Sequence, residues 1–406
     1  MISDFGIRTT SRYADPTDGW SAMNSTPDRL YHVARVITWL PPGGIEQRLA
    51  ALLPRLNQPP FRVSVVCLRE RGALADSLER AGVPVVLLPL RSRLDLRGLR
   101  VLAKWICDER VDLVHSHMYR SNVPATIAAR MAGGWKGIAG WKPTPPVLCQ
   151  VHNVNTWETR RQRWMDRWLM RWRTAMIAVS EEVKRDIVAN LGCPPERVRV
   201  LYNGIDLRAY GTLRPDPELR RELGVPDGHK LVAVVARLVE QKGHRRLFRA
   251  LESARGELPP TRVLLVGDGK LRAALENEVR ERRLDDMVSF AGHRTDVPQI
   301  LAVADLSVLP SDREGFSNAI VESLAAGVPV VATDVGGNSE AIVAGETGLL
   351  VAPDDEDGLA RAIKTILGDE PLRRRMSEAA RRRAERFSLD RMLDETRRLY
   401  LEVLGL

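Results

Sequence analysis

The sequence predicts an α/β protein of two doubly wound units, each a parallel sheet covered by helices, that face each other across a cleft. Three observations support this fold class. The chain has 406 residues, more than one ordinary hydrophobic core accommodates. Apolar runs rich in β-branched residues alternate with helical stretches from about residue 30 onward. The alternation starts again after the proline- and charge-rich segment 213–230, which places a boundary near residue 210.

Thirteen runs predict the strands, and each is apolar nearly throughout, which is typical of parallel strands buried on both faces. The first unit has seven of them, at 31–40, 61–68, 83–90, 111–117, 145–152, 174–180 and 198–204. The second unit has six, at 230–238, 261–269, 287–293, 304–311, 328–335 and 347–353. Helices are predicted between them, for example over 45–56 and 98–110.

The pattern divides the chain into four segments. Residues 1–28 are polar and lack a hydrophobic signal core, so we expect a disordered leader. Residues 29–210 form the first unit and 211–386 the second. Residues 387–406 predict a C-terminal helix that packs back on the first unit.

Composition narrows the class of protein. No run of eighteen apolar residues occurs, so we expect no transmembrane helix. The four cysteines lack metal-ligand spacing and indicate reduced thiols, hence a cytoplasmic location. A net charge of +9 favours phosphates, nucleic acid or acidic lipid as partners, and charge alone does not choose among them.

A basic amphipathic helix is predicted over 156–173, where four tryptophans fall on one face and four arginines on the adjacent face. This pattern favours contact with an anionic membrane surface through residues 157–173. The alternative is a helix that buries its aromatic side chains against the first sheet. The residues concerned are Trp157, Trp164, Trp168, Trp172, Arg160, Arg163, Arg167 and Arg171.

Two short segments have the features of a phosphate site. Gly43 and Gly44 follow the first strand and open a helix, whose free N–H groups suit a phosphate, although a simple glycine turn is an equal alternative. Arg237 ends the first strand of the second unit, and Lys242 comes just before the next helix. Two cations at such a strand end suit a diphosphate, the alternative being two surface charges.

The stretch EGFSNAIVE contains two glutamates eight residues apart, Glu314 in a loop and Glu322 about one turn into a helix. Ser317 and Asn318 between them are good N-cap residues. Carboxylates so placed could accept hydrogen bonds from hydroxyls at the two ends of one elongated ligand. The alternative is a pair of solvated charges on a surface helix.

Three histidines lie at two predicted strand ends of the first unit. Alternation puts His115 and His117 on one face, and His152 ends a second strand. His117 is nearer the strand tip and better placed to meet a substrate. The histidines could also be structural or ligate zinc, but no cysteine or carboxylate partner shows metal spacing.

With these motifs the chain resembles family 4 retaining glycosyltransferases of the GT-B fold, over about residues 30–403. The matching pieces include PPGGIEQ, VDLVHSH, LYNGID, ARLVEQKGH, LLVGDG and SDREGFSNAIVESLAAGVPVV. The resemblance implies two Rossmann-like domains, the first on the acceptor side and the second binding a nucleotide-diphosphate sugar.

The resemblance also implies roles for individual residues. Arg237 and Lys242 would hold the diphosphate, Glu322 the ribose, and His117 and Glu314 would be catalytic residues at the sugar. Gly43 and Gly44 would let the first domain close onto the phosphate. The backbone of the loop after Glu314 would contact the sugar, at Phe316, Ser317 and Asn318.

For the reaction, the resemblance implies a hexosyltransferase-like enzyme that acts with retention of configuration, without a metal or other cofactor. The acceptor would be a polysaccharide, a lipid-linked saccharide or a glycolipid of the cell envelope, with the enzyme cytoplasmic or peripheral on the inner face of the plasma membrane. Nucleic acid is not expected as a partner. The alternatives are a nucleotide-sugar epimerase of the same fold, or a non-catalytic basic adaptor for membrane or nucleic acid.

Overall fold

The computed structural model describes residues 29–41, 43–134, 144–154, 159–211 and 213–406. The predicted leader 1–28 and Trp157 lie outside them. All thirteen predicted strands are present. In the first sheet they are β1 Tyr31–Ile37, β2 Phe61–Cys67, β3 Val85–Leu87, β4 Leu113–His117, β5 Val147–Val151, β6 Ala175–Ala178 and β7 Val198–Val200. In the second they are β8 Lys230–Val235, β9 Thr261–Val266, β10 Val288–Gly292, β11 Leu306–Leu309, β12 Val330–Thr333 and β13 Gly348–Val351.

Both sheets are parallel throughout. The first has the order β3-β2-β1-β4-β5-β6-β7 and the second the order β10-β9-β8-β11-β12-β13. The order therefore reverses beside β1 in one sheet and beside β8 in the other. In doubly wound sheets a ligand crevice forms outside the carboxyl ends of the strands at such a point.

Sixteen α-helices connect and cover these strands in the described part of the chain. The first eight are α1 Gly44–Leu56, α2 Ala75–Arg80, α3 Leu96–Asp108, α4 Met118–Gly134, α5 Arg160–Leu169, α6 Glu181–Leu191, α7 Arg208–Gly211 and α8 Pro217–Glu222. The others are α9 His244–Ala254, α10 Arg272–Glu281, α11 Val297–Ala302, α12 Asn318–Ala326, α13 Asn338–Ala341, α14 Glu356–Gly368, α15 Glu370–Ala384 and α16 Leu389–Leu404.

The C-terminal helix α16 packs against the first sheet although it follows the second in sequence. Tyr400 is fully buried there, edge-on to Phe61 with 5.6 Å between ring centroids. Its hydroxyl bonds the buried Arg35 and lies 2.7 Å from Nδ1 of His115. The end of the chain thus supports the strand that carries His115 and His117.

The predicted tryptophan helix is present as α5 with a 3-10 turn over 170–172, and it begins with a capping box at Thr159. Trp164 is 69% exposed and Trp168 is 41% exposed. The guanidinium of Arg171 stacks 3.7 Å from the ring centroid of Trp168. The alternative in which the helix buries its aromatic side chains is therefore wrong for these two tryptophans.

Candidate active site

The loop that follows β11 brings a cation and a carboxylate together at the edge of the second sheet. Lys242 Nζ donates to Glu314 Oε1 at 2.6 Å, and the Ser311 hydroxyl donates to the same oxygen at 2.7 Å. Both charged side chains are largely buried, with 15% of the lysine and 8% of the glutamate side chain exposed. The structure thus brings together two residues, 72 positions apart in sequence, that the sequence predicts to bind one ligand.

The same loop packs tightly on the first unit, and glycine is required for this approach. A Cβ on Gly315 would lie only 2.1 Å from the backbone oxygen of His152. The Ser180 hydroxyl donates to the Gly315 carbonyl at 2.7 Å. From the second unit, a Cβ on Gly336, whose φ is +56°, would lie 1.8 Å from the backbone oxygen of Glu314. The loop holding Glu314 is therefore fixed from both units.

Two helices begin opposite each other in the cleft. Asn318, the first residue of α12, donates through Nδ2 to the carbonyl of Gly44, the first residue of α1, at 3.3 Å. A Cβ on Gly44 would approach Asn318 Nδ2 to 2.9 Å, so glycine permits this closeness. Gly43 is the extended N-cap residue of α1. Two helix N-termini offer unpaired N–H groups and partial positive charge, a suitable setting for phosphate.

Between Glu314 and α12 the side chains of the loop are buried, which leaves its backbone groups for contact with a ligand. Ser317 is the N-cap residue and is 4% exposed, but its hydroxyl makes no capping bond. Phe316 is 5% exposed, and its ring packs 5.2 Å from the ring centroids of both Tyr202 and Phe387. The side chain of Phe316 therefore anchors the loop in the core between the units.

Glu322 lies on α12 and interacts electrostatically with Arg48 of α1 in the first unit. Burial raises the pKa of Glu322, and the positive charge of Arg48 opposes that rise. Burial likewise lowers the pKa of Arg48 to about 10. Nε and Nη2 of Arg48 donate to the Gly44 carbonyl at 3.0 and 2.9 Å, while its buried Nη1 has no partner. Sequence reasoning missed Arg48; its spacing four residues after Gly44, on one helix face, was the available signal.

Arg237 follows β8, is exposed, and faces a cavity of about 880 Å³ between the units. Its charge acts on the first unit, where it helps to lower the pKa of Glu46 against the effect of burial. All four predicted charged residues belong to the second unit. Lys242 and Glu314 pair with each other. Arg237 and Glu322 interact electrostatically with Glu46 and Arg48 of the first unit.

The three histidines form a stack, which we call the histidine stack: His115, His117 and His152. His115 and His117 stack with 4.7 Å between centroids, as their predicted common face requires, and His117 and His152 follow at 5.4 Å. Burial and the charge of Arg35 lower the pKa of all three, that of His152 to about 3 with a further contribution from Arg48. They are therefore neutral at pH 7.

Within the stack, His152 lines the cavity and His117 does not. The His117 side chain is fully buried, with Nδ1 3.1 Å from His152 Nε2 and with Nε2 lacking a partner. Contact of His117 with a sugar stays a prediction. Among the described residues no group of three His, Cys, Asp or Glu side chains is placed to hold a metal ion, this stack included.

Comparison with known proteins shows which family the chain belongs to. The family models described as Glycosyltransferase Family 4 and Glycosyl transferases group 1 match residues 42–209 and 215–383. Glycogen synthase of Mycobacterium tuberculosis is 30% identical over 328 residues, 77% of this chain and 73% of that enzyme. The chain belongs to this family of glycosyltransferases.

Two further relatives match nearly the whole glycosyltransferase. The Escherichia coli UDP-Gal:alpha-D-GlcNAc-diphosphoundecaprenol alpha-1,3-galactosyltransferase is 25% identical over 358 residues, 85% of this chain and 90% of that enzyme. The crystal structure of Anabaena HepE in complex with UDP and glucose has a TM-score of 0.79 at 25% identity, covering 92% of this chain and all of that one. The predicted fold, two Rossmann-like parallel-sheet domains in the GT-B arrangement, is confirmed.

A further contact between the domains of this glycosyltransferase, made by Glu340, was not predicted. The Glu340 carboxylate, from α13, accepts hydrogen bonds from the backbone N–H groups of Glu181 and Glu182 at 2.8 and 3.0 Å. It also accepts from the Tyr202 hydroxyl at 2.8 Å. An acidic side chain of the second domain therefore caps helix α6 of the first. No local sequence pattern reports a contact between residues 159 apart.

Proposed function

We propose that this enzyme transfers a hexose from a nucleotide-diphosphate sugar to a polysaccharide, lipid-linked saccharide or glycolipid acceptor, with retention of configuration. The observation that carries the proposal is the Lys242–Glu314 pair, held beside the facing N-termini of α1 and α12. A diphosphate needs positive groups, and a sugar and a ribose need acceptors for their hydroxyls. The second domain supplies cations in Lys242 and Arg237 and acceptors in Glu314 and Glu322, which supports the proposal.

In the proposed complex, the diphosphate lies between the two helix N-termini, with Lys242 and Arg237 as its cations. The ribose hydroxyls donate to Glu322, whose pKa is raised by burial. The sugar is positioned by Glu314 and by the backbone from Phe316 to Asn318. We assign His117 a contact with the sugar through Nε2, which has no partner among the residues described.

For the chemical step we propose attack on the face from which the diphosphate leaves, with the leaving phosphate receiving the acceptor's proton. Lys242, Arg237 and the helix N-termini stabilise the negative charge that develops on the diphosphate, so the step needs no metal or other cofactor. Glu314 already accepts from Lys242 and Ser311 through Oε1. We assign it an orienting role at the sugar rather than that of a nucleophile.

Donor binding tests the proposal. We expect Glu322→Ala and Lys242→Ala each to raise the Kd for the preferred nucleotide sugar roughly tenfold to hundredfold, since each removes a charged hydrogen-bond partner. Glu378→Ala, at an exposed glutamate of α15, is the matched control and should bind as wild type. Unchanged affinity of both site variants for every common nucleotide sugar would refute the donor site. Sugar appearing only in an epimerised nucleotide product, without transfer to an acceptor, would favour an epimerase.

We further propose that the enzyme works on the inner face of the plasma membrane and touches it through α5 and the turn after it. Trp164, Trp168 and Arg171 form an exposed aromatic and basic surface there. The relative from E. coli acts on a diphosphoundecaprenol-linked sugar, which supports an acceptor at a membrane. In the described residues, no helix has the length and apolarity to span a bilayer, so attachment would be peripheral.

Flotation with vesicles tests this surface. We expect the enzyme to float with vesicles that contain anionic lipid and to lose most of this binding when Arg163, Arg167 and Arg171 become glutamine. A variant with glutamine at three arginines of α15, Arg374, Arg381 and Arg382, removes the same charge elsewhere. Equal flotation of the two variants would refute the assignment of the surface to α5.

A further inference from the structure

The cavity between the domains has an unusual charge. Five arginines line it, four of them from the first domain, and no aspartate or glutamate does among the residues described. A second cavity, of about 750 Å³ beside α8, shows the contrast, because four carboxylates line it together with two arginines. The five arginines are Arg69, Arg91, Arg93, Arg120 and Arg237.

The topology explains how the four arginines of the first domain meet. Arg69 follows β2, Arg91 and Arg93 follow β3, and Arg120 lies just after β4. Carboxyl ends of parallel strands come together at one edge of a sheet. At the tip of β4, the left-handed backbone of Met118, with φ 65°, turns the chain into α4 beside the cavity.

Like charges so gathered repel one another unless a counter-charge is present. Within the described part of the chain, no carboxylate lies within ion-pair distance of Arg69, Arg120 or Arg237. Arg93 lies over the Tyr119 ring, 4.6 Å from its centroid, which leaves its fork of N–H donors for another partner. By contrast, arginines elsewhere on the surface, such as Arg246 and Arg282, are paired with carboxylates.

Resting on the proposed glycosyltransferase function, we propose that this cavity binds the acceptor through a phosphate or diphosphate group that the acceptor carries. Arg69, Arg91, Arg93 and Arg120 hold that group, because forked guanidinium donors match its oxygens. Arg237, on the opposite wall, belongs to the donor. The acceptor's sugar then extends from this group toward Glu314 and the donor.

The remaining lining of the cavity bears on where the phosphate comes from. Trp39 lines it and is 39% exposed, and the lining also includes Leu68, Leu90 and Pro124. Leu94 and Leu96, next to Arg93 in sequence, are 53% and 65% exposed. Apolar surface beside phosphate-binding arginines suits the diphosphate of a lipid, whereas a soluble sugar phosphate needs only the arginines.

Calorimetry separates these cases. A thermal-shift screen first identifies the nucleoside diphosphate that stabilises the enzyme, which tests the proposed function by itself. With that nucleotide saturating, so that the donor's cations are occupied, geranyl diphosphate, inorganic pyrophosphate and geraniol are titrated. The variants are Arg93→Gln/Arg120→Gln and, as a charge-matched control on exposed helix positions, Arg382→Gln/Arg398→Gln. Circular dichroism and the unfolding midpoint check that both variants fold.

We expect both diphosphates to bind the wild type and the control, with Kd raised roughly tenfold or more in Arg93→Gln/Arg120→Gln. Tighter binding of geranyl diphosphate than of pyrophosphate identifies a lipid source, and equal binding identifies a soluble phosphate. Binding of geraniol as tight as that of geranyl diphosphate overturns the proposal, as does equal Kd in the two variants or no binding of either diphosphate. A failed nucleotide screen counts against the function instead.

Discussion

Replacing Lys242 by methionine separates the structural from the functional role of the Lys242–Glu314 pair. The substitution keeps the length of the side chain and removes its charge. Glu314, whose side chain is 8% exposed, would then keep only the Ser311 hydroxyl of its two described partners. Breaking a buried ion pair from one side typically costs about 3–5 kcal/mol, because the remaining charge is stranded away from water.

We expect the lower end of this range, about 3 kcal/mol, since 15% of the lysine side chain is exposed and Ser311 still donates to the carboxylate. With an unfolding entropy of about 2.1 cal/mol/K per residue, a chain of 406 residues that unfolds as one unit would lose about 3–4 °C in Tm. The double variant Lys242→Met/Glu314→Gln removes both charges, so it should recover to within about 1 kcal/mol of wild type.

Urea unfolding at pH 7 measures these differences, and nucleotide-sugar binding is measured on the same samples. Lys104→Met, at an exposed ion pair with Asp108, is the control and should cost no more than about 0.5 kcal/mol. The double variant should fold well yet bind donor roughly tenfold more weakly or worse. The reasoning is wrong if Lys242→Met is no less stable than Lys104→Met, or if the double variant is no more stable than Lys242→Met.

Three further outcomes follow from the described contacts. Glu340→Ala should lower the free energy of unfolding, measured in urea, by about 2 kcal/mol, because two N–H groups of α6 and a tyrosine hydroxyl lose their acceptor. A loss below about 0.5 kcal/mol, the range of ordinary surface substitutions, would contradict the cap. Gly315→Ala should raise the donor KM and lower Tm because its Cβ meets a backbone oxygen at 2.1 Å, whereas Gly256→Ala, with open space around it, should behave as wild type. Burial lowers the pKa of each histidine in the stack from 6.5, so the stability that the neutral stack allows is complete above that pH and falls as the pH drops below it. For His152, whose pKa is lowered to about 3, the loss continues down to about pH 3. His117→Asn should make the fall in stability between pH 6.5 and pH 5 less steep, and an unchanged slope would contradict the buried neutral state.

The sequence was sufficient for the fold because each strand is a local signal. Runs such as 61–68 and 230–238 are apolar nearly throughout, which is typical of a sheet covered on both faces. The shared face of His115 and His117 followed from strand alternation in the same way. The exposure of Trp164 and Trp168 did not follow, since an amphipathic helix has the same pattern whether its apolar face meets a core or a membrane.

The candidate site was predictable only in part, because its contacts join distant positions. Lys242 and Glu314 each stood out at a strand end, but their direct pairing depends on how α9 and the β11 loop approach each other. Glu340 had no local signal, because it acts on the other domain, and the spacing of Arg48 after Gly44 gave no indication of its interaction with Glu322. The close approach of Gly315 to the backbone of His152 likewise joins positions that are distant in sequence.

The positions of the arginines that have no described carboxylate partner help to explain the net charge of +9. In sequence it indicated anionic partners without distinguishing phosphate, lipid or nucleic acid. In the structure, Glu314 and Glu322 of the second domain are buried carboxylates that interact with Lys242 and Arg48, while the arginines of the first domain line a cavity that has no described carboxylate. The two proposals therefore assign the hydroxyls of the donor to these carboxylates and a phosphate of the acceptor to these arginines. A neutral acceptor would not bind to the arginines, so its KM would depend little on salt, whereas the KM of a phosphate-bearing acceptor would rise with salt as that of the donor does. Comparing the salt dependence of acceptor KM with that of donor KM therefore tests whether the arginines bind the acceptor.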